Sequence, residues 1–158
     1  MFRKLIFIGS IIAVFLSIIG CSSSRMAQCS QLIVIIKKGH AIMETNISYE
    51  AATTYKLGGE LKEIAQELQA LELKDKNLQQ FQNNFYQTFI EFSDAFIDMS
   101  LGLKTMTQVE ASLIGRNKFN QAKTRITQAG KQVNQVAIYE DILVEKLVSC
   151  LLYTSDAA

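Results

Sequence analysis

Three thiols, one imidazole and a row of carboxylates are the groups in this chain whose chemistry goes beyond packing. Cys21 stands after Gly20 at the end of an apolar run, Cys29 and Cys150 stand near the two ends of the chain beyond that run, and His40 is the sole histidine. His40 has no cysteine or second histidine at metal-ligand spacing, and Glu44, one helical turn on, makes only a weak pair with it. Met43, Met99 and Met106 carry thioethers of the kind that share a haem with histidine. Nothing in their spacing requires that use, and no Cys-x-x-Cys-His run is present. Glu91, Asp94 and Asp98 recur at steps of three and four, which puts them on one helix face as a solvated acidic stripe rather than an acid and base pair. Neither a glycine-rich phosphate loop nor a nucleophile elbow occurs. The expectation is a chain without enzymatic activity and without a cofactor.

The first of these groups depends on the stretch before it. Arg3 and Lys4 precede an apolar run of 15 residues, Leu5 to Ile19, which suits a secretory signal and is short for a membrane span. The run ends in Ile18-Ile19-Gly20-Cys21 and three serines, an ending that resembles a bacterial lipobox. The resemblance implies cleavage by signal peptidase II between Gly20 and Cys21, with a diacylglycerol on the Cys21 thiol. Two or three acyl chains exceed what stable anchoring needs, so the mature protein is expected on a membrane through its lipid. Ser22 in the next position implies the outer rather than the inner membrane, periplasmic face. Isoleucine three residues before the cysteine departs from the commoner leucine. An ordinary signal peptide cut elsewhere, or an uncleaved anchor with more apolar length, is the competing reading.

Without residues 1–20 the chain keeps 138 residues, enough for one compact domain and too few for two. Arg3 and Lys4 leave with the signal, so 14 basic residues face 15 acidic ones and the net charge is −1, which gives no electrostatic reason to expect a nucleic-acid partner. Proline and tryptophan are absent, and Gln, Leu, Ile and Ala are abundant, a composition that favours long uninterrupted helices.

Apolar spacing resolves that composition into four unequal helices, predicted over about 29–45, 50–73, 77–114 and 117–149, in an all-α up-down-up-down bundle behind an N-terminal hydrophobic signal helix. The first is apolar on a wide face; its run Leu32-Ile33-Val34-Ile35-Ile36 also reads as a buried strand, but no second such run exists to pair with it. Asn46 and Ser48 are candidate caps for the second, whose seam is Leu57, Leu61, Ile64, Leu68 and Leu71. Gly58-Gly59 within it predicts a close helix approach or a kink. Asp75 or Asn77 caps the third, on which Phe81, Phe85, Phe89, Phe92 and Phe96 share one stripe. Rings of about 150–250 Å² each make a bundle core more readily than a pocket. Gly102 and the Thr107–Glu110 spacing permit a break, yet the stripe crosses Gly102 in phase. The turn is therefore expected at Gly115-Arg116-Asn117, with Gly115 as a left-handed cap and Asn117 as the next N-cap. On the fourth helix Phe119, Ala122, Ile126, Ala129, Val133, Val136, Leu143 and Leu147 form the seam, with Ala122, Ala129 and Gly130 small enough for close packing.

Cys29-Ser-Gln-Leu-Ile, the segment from Leu68 to Gln82 and the run from Arg116 to Gly130 resemble a group of small secreted or lipid-anchored helical proteins, mostly cyanobacterial and uncharacterised. The likeness covers residues 29–148 and carries no catalytic signature. It implies a bridge between Cys29 and Cys150, which an oxidising periplasm permits and an up-down-up-down bundle brings to one end. The last residues, Cys150-Leu-Leu-Tyr-Thr-Ser-Asp-Ala-Ala, resemble a translated adapter tail unrelated to the protein before it, so residues 150–158 are read as a non-native tail and Cys150 as its first member. From Ala111 to Tyr139 the chain has no acidic residue. Folded about residue 115, Lys131 is placed to meet Asp98, and Arg116, Lys118, Lys123 and Arg125 remain as solvated helix charges or as a basic docking patch for an acidic envelope partner, polysaccharide or lipid head group. The functional expectation is a membrane-anchored, non-enzymatic structural or interaction module of the cell envelope; the alternative is a small-ligand or cofactor-binding bundle in the periplasm.

Overall fold

A computed structural model describes residues 25–155 apart from Ile47, with side chains described as far as Val148. The described residues form four helices and no strand: α1, Arg25–Asn46; α2, Ala51–Gln69; α3, Lys76–Thr107; and α4, Leu113–Ser155. Gly20 and Cys21, with the signal helix, lie outside the described residues.

Successive helices run antiparallel. Lys38 of α1 pairs with Glu67 of α2, Gln82 of α3 reaches back to Leu68 of α2, and Arg125 of α4 meets Asp98 of α3. α2 packs along α3 and α3 along α4, whereas α1 lies mainly along α2 and touches α3 and α4 more lightly. The core is built from Leu57, Leu61, Ile64 and Leu68 of α2 against Phe85, Phe89 and Phe92 of α3, all at 2% exposure or less. The phenylalanine stripe is therefore core, as its spacing predicts. α1 buries Cys29, Leu32, Ile36 and Gly39, at successive steps of three, four and three, so the β-branched run is helical and turns Val34 to solvent.

Backbone approach explains two glycines. A Cβ at Gly58 would sit 2.8 Å from Ile97 and 2.9 Å from the Ser93 carbonyl oxygen, so this is the close approach of α2 to α3 that the glycine pair predicts, while Gly59 faces open space. Gly102 does not end α3. Its missing side chain admits Ile126 and the Ala122 carbonyl of α4, and the helix continues to Thr107. Gly130, in contrast, faces open space, so Ala122 and Ala129 alone supply the small face of α4.

The turn between α2 and α3 is held by side chains from three directions. Asp75 accepts from the backbone N–H groups of Asn77 and Leu78 at 2.9 and 3.0 Å, the capping role its type predicts. Gln28 of α1, buried, accepts from the backbone N–H of Lys74 at 2.6 Å. Gln82 donates to the carbonyls of Leu68, in the last turn of α2, and of Leu71, just beyond it. Neither Asn46 nor Ser48 caps α2: its N-cap is Glu50, whose own N–H donates to the Ser48 hydroxyl, and Asn46 instead bonds back to the Ile42 carbonyl.

The turn between α3 and α4 differs from the sequence expectation. It spans 108–112, and residues 113–116 already belong to α4. Ser112 is the cap: its hydroxyl accepts from the Gly115 N–H at 3.0 Å and its carbonyl from the Arg116 N–H at 2.8 Å. Gly115 has no positive φ, and neither has any other described glycine. It is glycine because a side chain there would run into the Glu110 carbonyl.

Candidate functional site

The seam between α1 and α4 holds the one histidine against a buried acid. His40 Nε2 lies 2.9 Å from Glu140 Oε1; the carboxylate is 5% exposed and the imidazole 37%. The approach is short but poorly aligned for a linear hydrogen bond, and neither atom has another hydrogen-bond partner among the described residues. Contact with Glu140 raises the His40 pKa above its ordinary value; burial acts in the opposite sense, and the charges of Glu140, Glu44 and Asp141 add to the rise. The protonated ring is thus the form that compensates the buried carboxylate.

Glu140 stands where helical phase demands an apolar residue. The α4 seam runs Ala122, Ala129, Val136, Leu143, Leu147, all at 5% exposure or less, and Glu140 occupies the position between Val136 and Leu143 at 3%. The sequence carried that signal as a gap of seven in an otherwise three-and-four pattern, but the partner lies on a helix a hundred residues away. Beside the pair, Ile33, Ile36, Lys37, His40, Ala41, Glu44, Val144, Leu147 and Val148 line a mainly apolar cleft of about 360 Å³. Its charged members, Lys37 and Glu44, are exposed at the rim. The cleft can shelter an aliphatic group and set one polar end near His40. Of the methionines, Met43 packs on the core, and Met99 and Met106 stand on α3 outside the cleft's lining.

The basic residues sit at the other end of the molecule. Arg116, Lys118 and Lys123 are exposed, as expected, but Arg125 pairs with Asp98 at 3.7 Å, so Asp98 meets Arg125 and not Lys131. The patch is correspondingly smaller. Of the acidic stripe on α3, Glu91 accepts from Gln87 and Asp94 is exposed.

Cys29 is buried at 2% in the first turns of α1. The side chain of Cys150 lies outside the described residues, and α4 is helical through it. Among the described residues no helix is long and apolar enough to cross a membrane. No family model, curated protein or solved structure matches the chain.

Proposed function

We propose that this chain is a bacterial lipoprotein, anchored through Cys21 to the periplasmic face of the outer membrane, whose helical bundle acts as a non-enzymatic structural or interaction module of the envelope. The observation that carries the reading is the Arg-Lys, apolar run, Gly20-Cys21 order. Arg25, where the described part of α1 starts, follows Cys21 by four residues, so that pole lies close to the lipid. The same pole contains the α2–α3 turn, fastened to α1 by Gln28 and by the 3.3 Å pair of Arg25 with Asp75, so the anchored end is tied into the bundle. The likeness to small lipid-anchored helical proteins agrees in kind with this assignment.

The Cys29–Cys150 bridge belongs to the same proposal. The antiparallel register that sets His40 beside Glu140 carries position 29 to a level with position 151, eleven residues along each helix. Closing a loop of about 120 residues contributes on the order of 4–5 kcal/mol in the chain-entropy treatment. Expression in a bacterial envelope tests the anchor: the wild type floats with membranes, gains the mass of its acyl groups and accumulates uncut when signal peptidase II is inhibited. A Cys21→Ala protein that still partitions with detergent refutes it. The mass of the same protein without reduction, after thiol alkylation, reads the bridge.

A second reading is favoured by the α1–α4 cleft, whose 360 Å³ falls in the range of small-molecule sites. There the bundle binds an aliphatic ligand in the periplasm. A ligand retained on native mass spectrometry, lost on filling the cleft by Ala41→Phe, supports it.

A further inference from the structure

The α3–α4 hairpin ends in apolar residues that the fold does not use. Leu113 is 83% exposed and Ile114 71%, side by side in the first turn of α4, with Phe119 at 41% one and a half turns further on. Surface leucines scattered singly need no account, but two adjacent aliphatics at a protruding tip do. They are held there firmly: Ser112 caps the helix beneath them, and Gly115 packs against the Glu110 carbonyl, so the pair cannot relax inward without breaking the turn.

Around this tip the charge is basic. Lys104 lies in the last turn of α3, and Arg116 and Lys118 in the first two turns of α4; all three are exposed, with Glu110 the one acid among them. Lys123 continues the basic surface one helical stretch back, where the next acid in the chain is Glu140. Met106, Val109, Glu110, Leu113, Arg116 and Phe119 share a shallow surface depression at the tip.

We propose that the α3–α4 tip is a membrane-surface docking site, in which Leu113 and Ile114 enter the interface of a bilayer and Lys104, Arg116 and Lys118 meet the phosphates of its anionic lipids. Exposure and charge select this occupant. A protein partner is gripped by anchors sunk in a well-packed centre with a polar rim, whereas here the aliphatic pair is almost wholly exposed and is flanked by exposed cations that complement anionic lipid. An acidic polysaccharide would account for the cations and leave Leu113 and Ile114 without a role. An exposed aliphatic pair flanked by exposed cations matches the chemistry of an anionic bilayer surface, with hydrocarbon for Leu113 and Ile114 and phosphate for Lys104, Arg116 and Lys118.

The site goes beyond the anchor reading and occupies the opposite pole. α3 has 32 residues and is about 48 Å long, so the tip lies roughly that far from the end where α1 begins. A chain anchored at one pole and docked at the other holds two bilayer surfaces together, or lies along one.

The test uses the full chain reconstituted into phosphatidylcholine vesicles, mixed with a second population of vesicles made with or without phosphatidylglycerol, and reads vesicle association by energy transfer between lipid dyes. Association with the phosphatidylglycerol population is expected, weakened by salt. Leu113→Ser with Ile114→Ser, and separately Arg116→Gln with Lys118→Gln, are each expected to reduce it about tenfold. Circular dichroism matching the wild type establishes that the exposed substitutions leave the helices intact. Association unchanged by the Leu113/Ile114 pair overturns the proposal, as does binding to soluble polyglutamate without vesicle association, which would assign the tip to an acidic macromolecule. A full chain that fails to float with the first vesicles defeats the anchor reading and not this one; direct flotation of that chain and its variants with phosphatidylglycerol vesicles then reads the tip, and equal flotation of all of them overturns it.

Discussion

Removing the His40 side chain isolates the buried pair. In a His40→Ala protein the Glu140 carboxylate, 5% exposed between Val136 and Leu143, loses the imidazole that pairs with it. Breaking a fully buried ion pair from one side costs about 3–5 kcal/mol; with His40 itself 37% exposed, water reaches the gap, and the expected loss is about 2 kcal/mol. Replacing Glu140 by leucine instead restores the apolar seam, and that variant is expected within about 1 kcal/mol of the wild type or above it. The pH dependence has a fixed sign. Because His40 has a folded-state pKa above its unfolded one, its contribution is complete below about pH 6.5 and is lost as pH rises through the raised folded value. The chain has no other histidine, so a fall in stability from pH 6 upward belongs chiefly to this residue. Urea denaturation monitored by circular dichroism at several pH values between 6 and 9 reads it as a falling midpoint in the wild type and a flat one in His40→Ala and Glu140→Leu. A wild-type midpoint that rises over that window, or a His40→Ala protein as stable as the wild type at pH 6, refutes the reasoning.

Two further perturbations test the packing. Gly59→Ala, facing open space, is expected to stabilise by about 0.5–1 kcal/mol through helix propensity, while Gly58→Ala, meeting Ile97 and the Ser93 carbonyl, is expected to destabilise by at least about 1 kcal/mol; thermal denaturation of the two side by side checks the contrast. Asp75→Ala removes the cap of α3 and the partner of Arg25, for an expected loss of about 1–2 kcal/mol by urea denaturation, and Asp75→Asn should recover most of it because the cap acceptor survives.

Most of the helical architecture was legible because it is written in local repeats. The three-and-four spacing of Leu57 to Leu68 and of Phe85 to Phe96 names the faces that meet, Asp75 caps by its own side chain, and Gly58 marks a close approach by its lack of one. Such signals need only the residues within two turns. The α3–α4 turn was not legible, since the apolar stripe of α3 stays in phase past the point where the helix ends, and Gly115 has the type of a left-handed cap but serves as a gap for the Glu110 carbonyl.

That displacement decided the side-chain partners. In an antiparallel hairpin a shift of the turn is doubled in the register, so moving the pivot from residue 115 to the 108–112 turn brings Asp98 opposite Arg125 instead of the region of residue 132. The α1–α4 seam lies further still from local control. The gap at Glu140 can be read in the sequence, but its ion pair with His40 exists only because three hairpin registers add up to bring positions 40 and 140 within 2.9 Å. By itself the sequence determined which faces are apolar; the tertiary structure decided which charges meet, because those pairings depend on turns whose geometry is set by contacts with other helices.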